Sequence, residues 1–205
     1  CCFWFFFIGY YKSHVTLLNQ KTIKKPTKFR GIGLHSGKPT EISVNPSAPN
    51  TGIVFKRVDL KRNNLVYPSF ANVSNTSLNT TISNEYGVKI STIEHLMGAL
   101  FGLGIDNALV EINDEEVPIL DGSAKEFIDK LTLSGLKQSE VPIKIIKINK
   151  KVTYKNGVKS ISIEPSKLSL DINFELKYEN SLIGNQKNKI NVYEDDLKDI
   201  FESRT

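Results

Sequence analysis

Residues Ile90–Ser123 read ISTIEHLMGALFGLGIDNALVEINDEEVPILDGS, and this stretch decides the fold. Ile93, Leu96, Met97, Leu100 and Phe101 recur at i, i+3, i+4, i+7 and i+8, the spacing of one buried helix stripe, and Gly102 and Gly104 supply its stop. At about 100° per residue, His95 falls roughly opposite that stripe and Glu94 beside it. Asn107 to Asn113 then alternates, with Ala108, Val110 and Ile112 in phase, as a half-buried strand does. NDEE makes a turn, Val117 to Leu120 reads as the returning strand, and Asp121-Gly122 ends that hairpin. Ser123 with Glu126 forms a capping box that opens a second helix running to about Leu133.

Upstream, Thr40 to Asn45 alternates with Ile42 and Val44 on one face, and Gly52 to Val58 is a second β-rich run. GIGLHSGK at Gly31–Lys38 lacks the GxxxxGK[ST] spacing of a phosphate loop and has no helix pattern after it, so it reads as a tight strand connection. Leu60 to Ser77, rich in Asn, Ser and Pro, reads as an irregular excursion of the kind that borders ligand sites. Downstream, SGLKQSEVP at 134–142 reads as a polar connector between two domains. Ile143 to Tyr154 and Val158 to Glu164 flank Asn156-Gly157, the strongest short hairpin signal, and Leu168 to Leu176 alternates as a further strand. EDDLKDIFESRT closes the chain as a helix with Leu197, Ile200 and Phe201 on its apolar face. Both halves open with strand hairpins before reaching a helix, a hint of duplication.

Composition narrows the class. Of 205 residues, 40% are apolar and 24% charged, as in a globular protein with a sizeable core. The net charge of +5 is concentrated upstream, where no Asp or Glu precedes Glu41, and that asymmetry suits an anionic partner or a solvated basic tail. Cys1 and Cys2 are adjacent and no cysteine follows, which excludes a disulfide framework and fits a reducing compartment. The apolar opening CCFWFFFIGYY ends at Tyr11, short of the roughly 20 residues that a spanning helix needs. Residues 1–18 are therefore expected to lie outside the fold, with no stable membrane insertion.

Chemistry points to Glu94 and His95. A carboxylate takes a proton and an imidazole holds a metal ion, a pairing suited to metal-assisted hydrolysis. Ser91-Thr92-Ile93-Glu94 is also a capping box, in which Glu94 would only satisfy free helix amides. Near a helix N-terminus the dipole disfavours a charged imidazole and tolerates a neutral metal ligand. Catalytic zinc usually takes three protein ligands, and no histidine follows His95, so the ligand set looks incomplete. His35 in its glycine-bounded turn and Leu78 after the excursion are substrate-side candidates.

GIGLHSGKPTEISVNPSAPNTGIVFKRVDL, ISTIEHLMGALFGLGIDNALVEIN and VPILDGSAKEF closely resemble, in content, order and spacing, the zinc-dependent UDP-3-O-acyl-N-acetylglucosamine deacetylases of lipid A biosynthesis, from about Leu18 to Thr205. The resemblance implies an α+β fold of two similar domains, each a sheet layered with helices: residues 19–138 as the first and 139–205 as the opening part of an incomplete second. It also implies His95 as a zinc ligand, Glu94 as general base and Thr205, at the end of SRT, as a donor to the oxyanion. The family's remaining zinc ligands, a His and an Asp one helical turn apart, and a later acidic histidine lie beyond these residues. The expected partner is a UDP-linked acyl amino sugar in the cytoplasm, with no nucleic acid, and these 205 residues alone are expected to be inactive. The alternative is a noncatalytic basic module for nucleic acid or anionic surfaces, in which Glu94 and His95 merely cap a helix. Oligomeric state is not encoded in any pattern here.

Overall fold

The computed structural model describes residues 18–166, 170–192 and 194–204, so the apolar leader and Thr205 lie outside the described residues. The fold is α+β. In chain order its elements are β1 Asn19–Ile23, β2 Thr27–Ile32, β3 Pro39–Pro46, β4 Ile53–Arg57, β5 Leu65–Val66, β6 Val73–Asn75, β7 Thr81–Ser83, β8 Lys89–Ile90, α1 Glu94–Gly102, β9 Ala108–Ile112, α2 Lys125–Ser134 and β10 Leu136–Pro142. The hairpin strands β11 Val152–Asn156 and β12 Lys159–Ile163, then β13 Asp171–Lys177, β14 Asn185–Asn191 and α3 Lys198–Phe201, complete the series. Two compact units emerge among the described residues, 18–143 with 198–204, and 144–197.

The first unit is built on a five-stranded sheet ordered β2-β3-β9-β4-β5, antiparallel except where β4 and β9 run parallel. Alternation decides which face is buried: Ile42 and Val44 of β3, and Ala108, Val110 and Ile112 of β9, are fully buried while their neighbours are half-buried. That face packs against Leu96, Ala99 and Leu100 of α1 and Phe127 and Leu131 of α2. Phe29 of β2 and Phe127 meet with ring centroids 4.9 Å apart at an interplanar angle of 53°, a tilted geometry that favours the ring quadrupoles. Burying each such ring contributes roughly 1.5–3 kcal/mol. Beside this sheet, β6, β7 and β8 form a small antiparallel sheet.

Several expected elements differ. SGLKQSEVP is not a connector: Leu136–Pro142 is a strand, antiparallel to β1, with Ile23 opposite Leu136. Val117 to Leu120 does not return along β9. Ser91 N–H donates to Glu115 O at 2.8 Å, Val117 N–H to Ser91 O at 3.1 Å and Ile119 N–H to Ile32 O at 3.0 Å, so this segment is drawn across to β8 and β2. The excursion expected over 60–77 stays largely irregular, interrupted only by short β5, a 3-10 turn at Phe70–Asn72 and β6. Ser123 Oγ accepts from Lys125 N–H at 3.2 Å at the head of α2, but the N-cap is Ala124, without a side-chain cap bond, and Glu126 pairs with Lys130 at 2.8 Å, so the expected capping box does not form.

In the second unit, β11 and β12 pair around Gly157 as the Asn-Gly signal requires, with Gly157 at φ 58°. The strand expected from Ile143 begins only at Val152. β13 and β14 pair antiparallel from Asp171↔Asn191 to Lys177↔Asn185. The closing helix is a single turn, α3, returned to the first unit. Leu197 is outside it.

Candidate functional site

The site grows from the junction of β8 and α1. Between them Thr92 is buried at φ 55°, a conformation that is a genuine outlier for a β-branched residue and costs of order 1–3 kcal/mol. Its surroundings hold it there: Thr92 Oγ1 donates to Glu116 Oε1 at 2.8 Å and accepts from Asn79 Nδ2 at 3.3 Å, while Thr81 Oγ1 donates to Asn79 Oδ1 at 3.0 Å. This strained residue aims the first turn of α1, which begins at Glu94.

Glu94 does not close a capping box. The N-cap is Ile93, in the αR region and without a side-chain cap bond, and the Glu94 carboxylate instead accepts from Thr80 N–H at 3.2 Å. A helix-start carboxylate held from outside its own helix is oriented rather than spent on local amides. His95, next along the turn, is half-buried. Burial pushes its imidazole below the ordinary value of 6.5, against the opposing pull of Glu94 and Asp121. A neutral imidazole has a lone pair to give, so His95 fits a zinc ligand. Among the described residues no three His, Cys, Asp or Glu side chains gather into a metal-holding group.

Asp121 is the second carboxylate acting on His95. Its Oδ1 accepts from Ser123 Oγ at 2.7 Å and Ser123 N–H at 3.1 Å, and those bonds, with Arg204, hold its carboxyl below the usual range. Arg204 Nη2 reaches Asp121 Oδ2 at 3.2 Å, and its Nε donates to Asp121 O, also at 3.2 Å. Phe201 O accepts from Ala124 N–H at 3.0 Å, and a Cβ on Gly102 would lie 2.8 Å from Phe201 Cε1. The segment ending in Arg204 is thus docked on the C-terminal end of α1 and the N-terminal end of α2.

His35 and Leu78 are brought together. They line a polar cavity of about 400 Å³ with Ser74, Asn75, Asn79 and Lys89, and neither Glu94 nor His95 borders it. Leu78, at φ 64°, is 83% exposed, which places an apolar side chain at the cavity rim rather than in the core. The sequence reading missed Thr92, Asn79, Glu116 and Arg204. Glu116 had one available signal: the apolar run VPIL follows it directly, so an acidic residue opens a segment that must be buried.

A family model described as LpxC, UDP-3-O-acyl N-acetylglycosamine deacetylase, matches residues 20–205. Curated proteins named UDP-3-O-acyl-N-acetylglucosamine deacetylase are similar to the chain. The one from Nautilia profundicola is 43% identical over 175 residues, covering 85% of this chain and 58% of the relative. That from Actinobacillus pleuropneumoniae serotype 3 is 38% identical over 82% of this chain and 55% of its own length, and that from Teredinibacter turnerae 41% over 78% and 53%. The chain therefore spans a little over half the length of the curated relatives it matches.

Proposed function

The chain belongs to the UDP-3-O-acyl-N-acetylglucosamine deacetylase family, and on that premise we propose that the protein it forms hydrolyses the N-acetyl group of UDP-3-O-acyl-N-acetylglucosamine in lipid A biosynthesis, releasing acetate. The observation that carries this reading is the consecutive pair on the first turn of α1: Glu94, its carboxylate held by Thr80 N–H, and His95, kept neutral by burial.

The division of labour follows from the side chains. His95 would hold zinc through an imidazole nitrogen, and zinc, when bound, supplies an acidified water and a polarised carbonyl. Glu94 takes a proton from the attacking water, which adds its oxygen to the acetamide carbon. One carboxylate oxygen is anchored by Thr80, so the other is the free acceptor. As the carbon–nitrogen bond breaks, the proton on Glu94 is available to the departing amine.

Thr205 would donate to the oxyanion, a role usually worth a few kcal/mol. The Arg204–Asp121 pair supports it, because it ties the residue next to Thr205 to a carboxylate that acts on His95. His35 and Leu78 would face the acyl sugar across the polar cavity. We further propose that the remaining zinc ligands come from sequence beyond these 205 residues, which alone turn over little acetate, since one imidazole holds catalytic zinc weakly. No helix among the described residues is long and apolar enough to cross a membrane. A nucleotide-linked substrate and a body free of cysteine after Cys2 support a cytoplasmic setting.

The test is acetate release from UDP-3-O-acyl-N-acetylglucosamine by the natural full-length protein, with and without a zinc chelator. Chelator-sensitive release is expected. Release that ignores complete zinc removal, or no release at all, refutes the reading.

A further inference from the structure

Glu116 belongs to neither the catalytic pair nor the cavity lining, yet its buried carboxylate, 3% exposed, is where two parts of the site meet. On one side it accepts from the backbone of the β2–β3 turn: His35 N–H at 3.0 Å on Oε1 and 3.2 Å on Oε2, and Ser36 N–H at 2.7 Å on Oε2. On the other it accepts from Thr92 Oγ1 at 2.8 Å, two residues ahead of Glu94. Room for it is reserved, since a Cβ on Gly33 would lie 2.9 Å from Glu116 Cδ and closer still to Oε2.

We propose that Glu116 is a positioning residue that locks the His35 turn to the strained Thr92 and thereby sets the aim of Glu94 and His95. Three donors from segments separated from Glu116 by 81, 80 and 24 residues converge on one carboxylate. The Thr92 hydroxyl is buried, and leaving such a donor unmet costs about 1–3 kcal/mol, so the helix junction cannot drift from Glu116 without that loss, while the same carboxylate holds the backbone of the His35 turn. Thr92 sits in a backbone well that a threonine leaves unless over-determined by its surroundings, and Glu116 supplies that constraint together with Asn79. A shift of the helix start by about 1 Å would move the base and the imidazole together, and misplacement of that size can cost roughly 100-fold in rate.

The catalytic consequence rests on the deacetylase reading, so the experiment has two arms in the natural full-length protein. The first follows amide hydrogen exchange at His35 and Ser36. In E116A both amides are expected to exchange at least about tenfold faster than in wild type. In E116Q they stay protected, because the amide oxygen accepts from the turn while its NH₂ donates to the Thr92 hydroxyl, which can turn to accept. The second arm measures kcat and KM for acetate release. E116A is expected to lose roughly 10- to 100-fold in kcat with KM within about threefold, and E116Q to restore most of it. T92V, which removes only the helix-side hydroxyl, lowers kcat while leaving the His35 and Ser36 amides protected, and it decides the matter should E116A fail to fold. Wild-type kcat in E116A or T92V overturns the inference. A wild-type protein that releases no acetate refutes the deacetylase reading first, before any variant is compared, and takes the catalytic consequence with it.

Discussion

Thr80 N–H donates to Glu94 Oε2 across 3.2 Å, so the loop that opens β7 fixes the carboxylate at the head of α1. A proton acceptor held from outside its own helix keeps its orientation even when the first turn frays. Replacing it should remove catalysis and leave the metal in place. For E94Q in the full-length protein we expect kcat to fall by about 10²- to 10⁴-fold with zinc content unchanged, read from acetate release and metal analysis. An E94Q protein with wild-type turnover contradicts the role.

The contact of Gly102 with Phe201 reverses an ordinary rule. Alanine for glycine in a helix usually stabilises by about 0.5–1 kcal/mol. Here the added Cβ would fall under 3.0 Å from the Phe201 ring, which would have to leave α1. G102A should lower the thermal midpoint and speed proteolysis around α3, with loss of the Arg204–Asp121 contact slowing turnover as well. A raised midpoint with unchanged proteolysis would show that the ring does not sit there.

Glu116 makes stability depend on acid. Burial pushes its carboxyl up, but the hydrogen bonds from His35, Ser36 and Thr92 together outweigh it and leave the carboxyl below its ordinary 4.5. On acidification the unfolded chain therefore takes up its proton first, and stability rises with pH through that window. The contribution is complete above about 4.5 and is lost as pH falls through the lowered value. E116Q should flatten this component: the difference in unfolding midpoint between wild type and E116Q should shrink as pH drops below 4.5. Asp106, which burial pushes the other way, is common to both proteins and cancels. A difference that does not change with pH refutes the prediction.

Much of the core was legible because it obeys a period. The stripe Ile93, Leu96 and Leu100 and the alternations in β3 and β9 mark buried faces, and the buried set follows them. Met97 and Phe101 are only partly buried, while Ala99, too small to stand out in the pattern, completes the stripe. β10 was missed for a physical reason: none of its residues is fully buried, so it carries no hydrophobic period, and its pairing with β1 is written 113 to 123 residues away. Pairings that far apart leave no local trace. The same holds for Glu116, whose partners His35 and Thr92 lie 81 and 24 residues off. Glu94 and His95 could be named because they are adjacent; what orients them could not.

The packing of Phe29 on Phe127 tests the scaffold apart from the chemistry. Both rings are fully buried, and Lys130 Nζ lies over the Phe29 ring, 5.3 Å from its centroid. F29A should cost about 3–5 kcal/mol, seen as a lower denaturant midpoint with unchanged slope. A loss below about 1 kcal/mol would mean that α2 does not close over β2 as described.

In the proposed reaction His95 is a zinc-holding imidazole beside a working base. This role is tested most directly by measuring zinc per protein chain in the natural full-length protein and in its H95A variant, each confirmed folded. About one zinc is expected in wild type and a large loss in H95A, with acetate release falling alongside. An H95A protein that keeps its zinc and its turnover contradicts it.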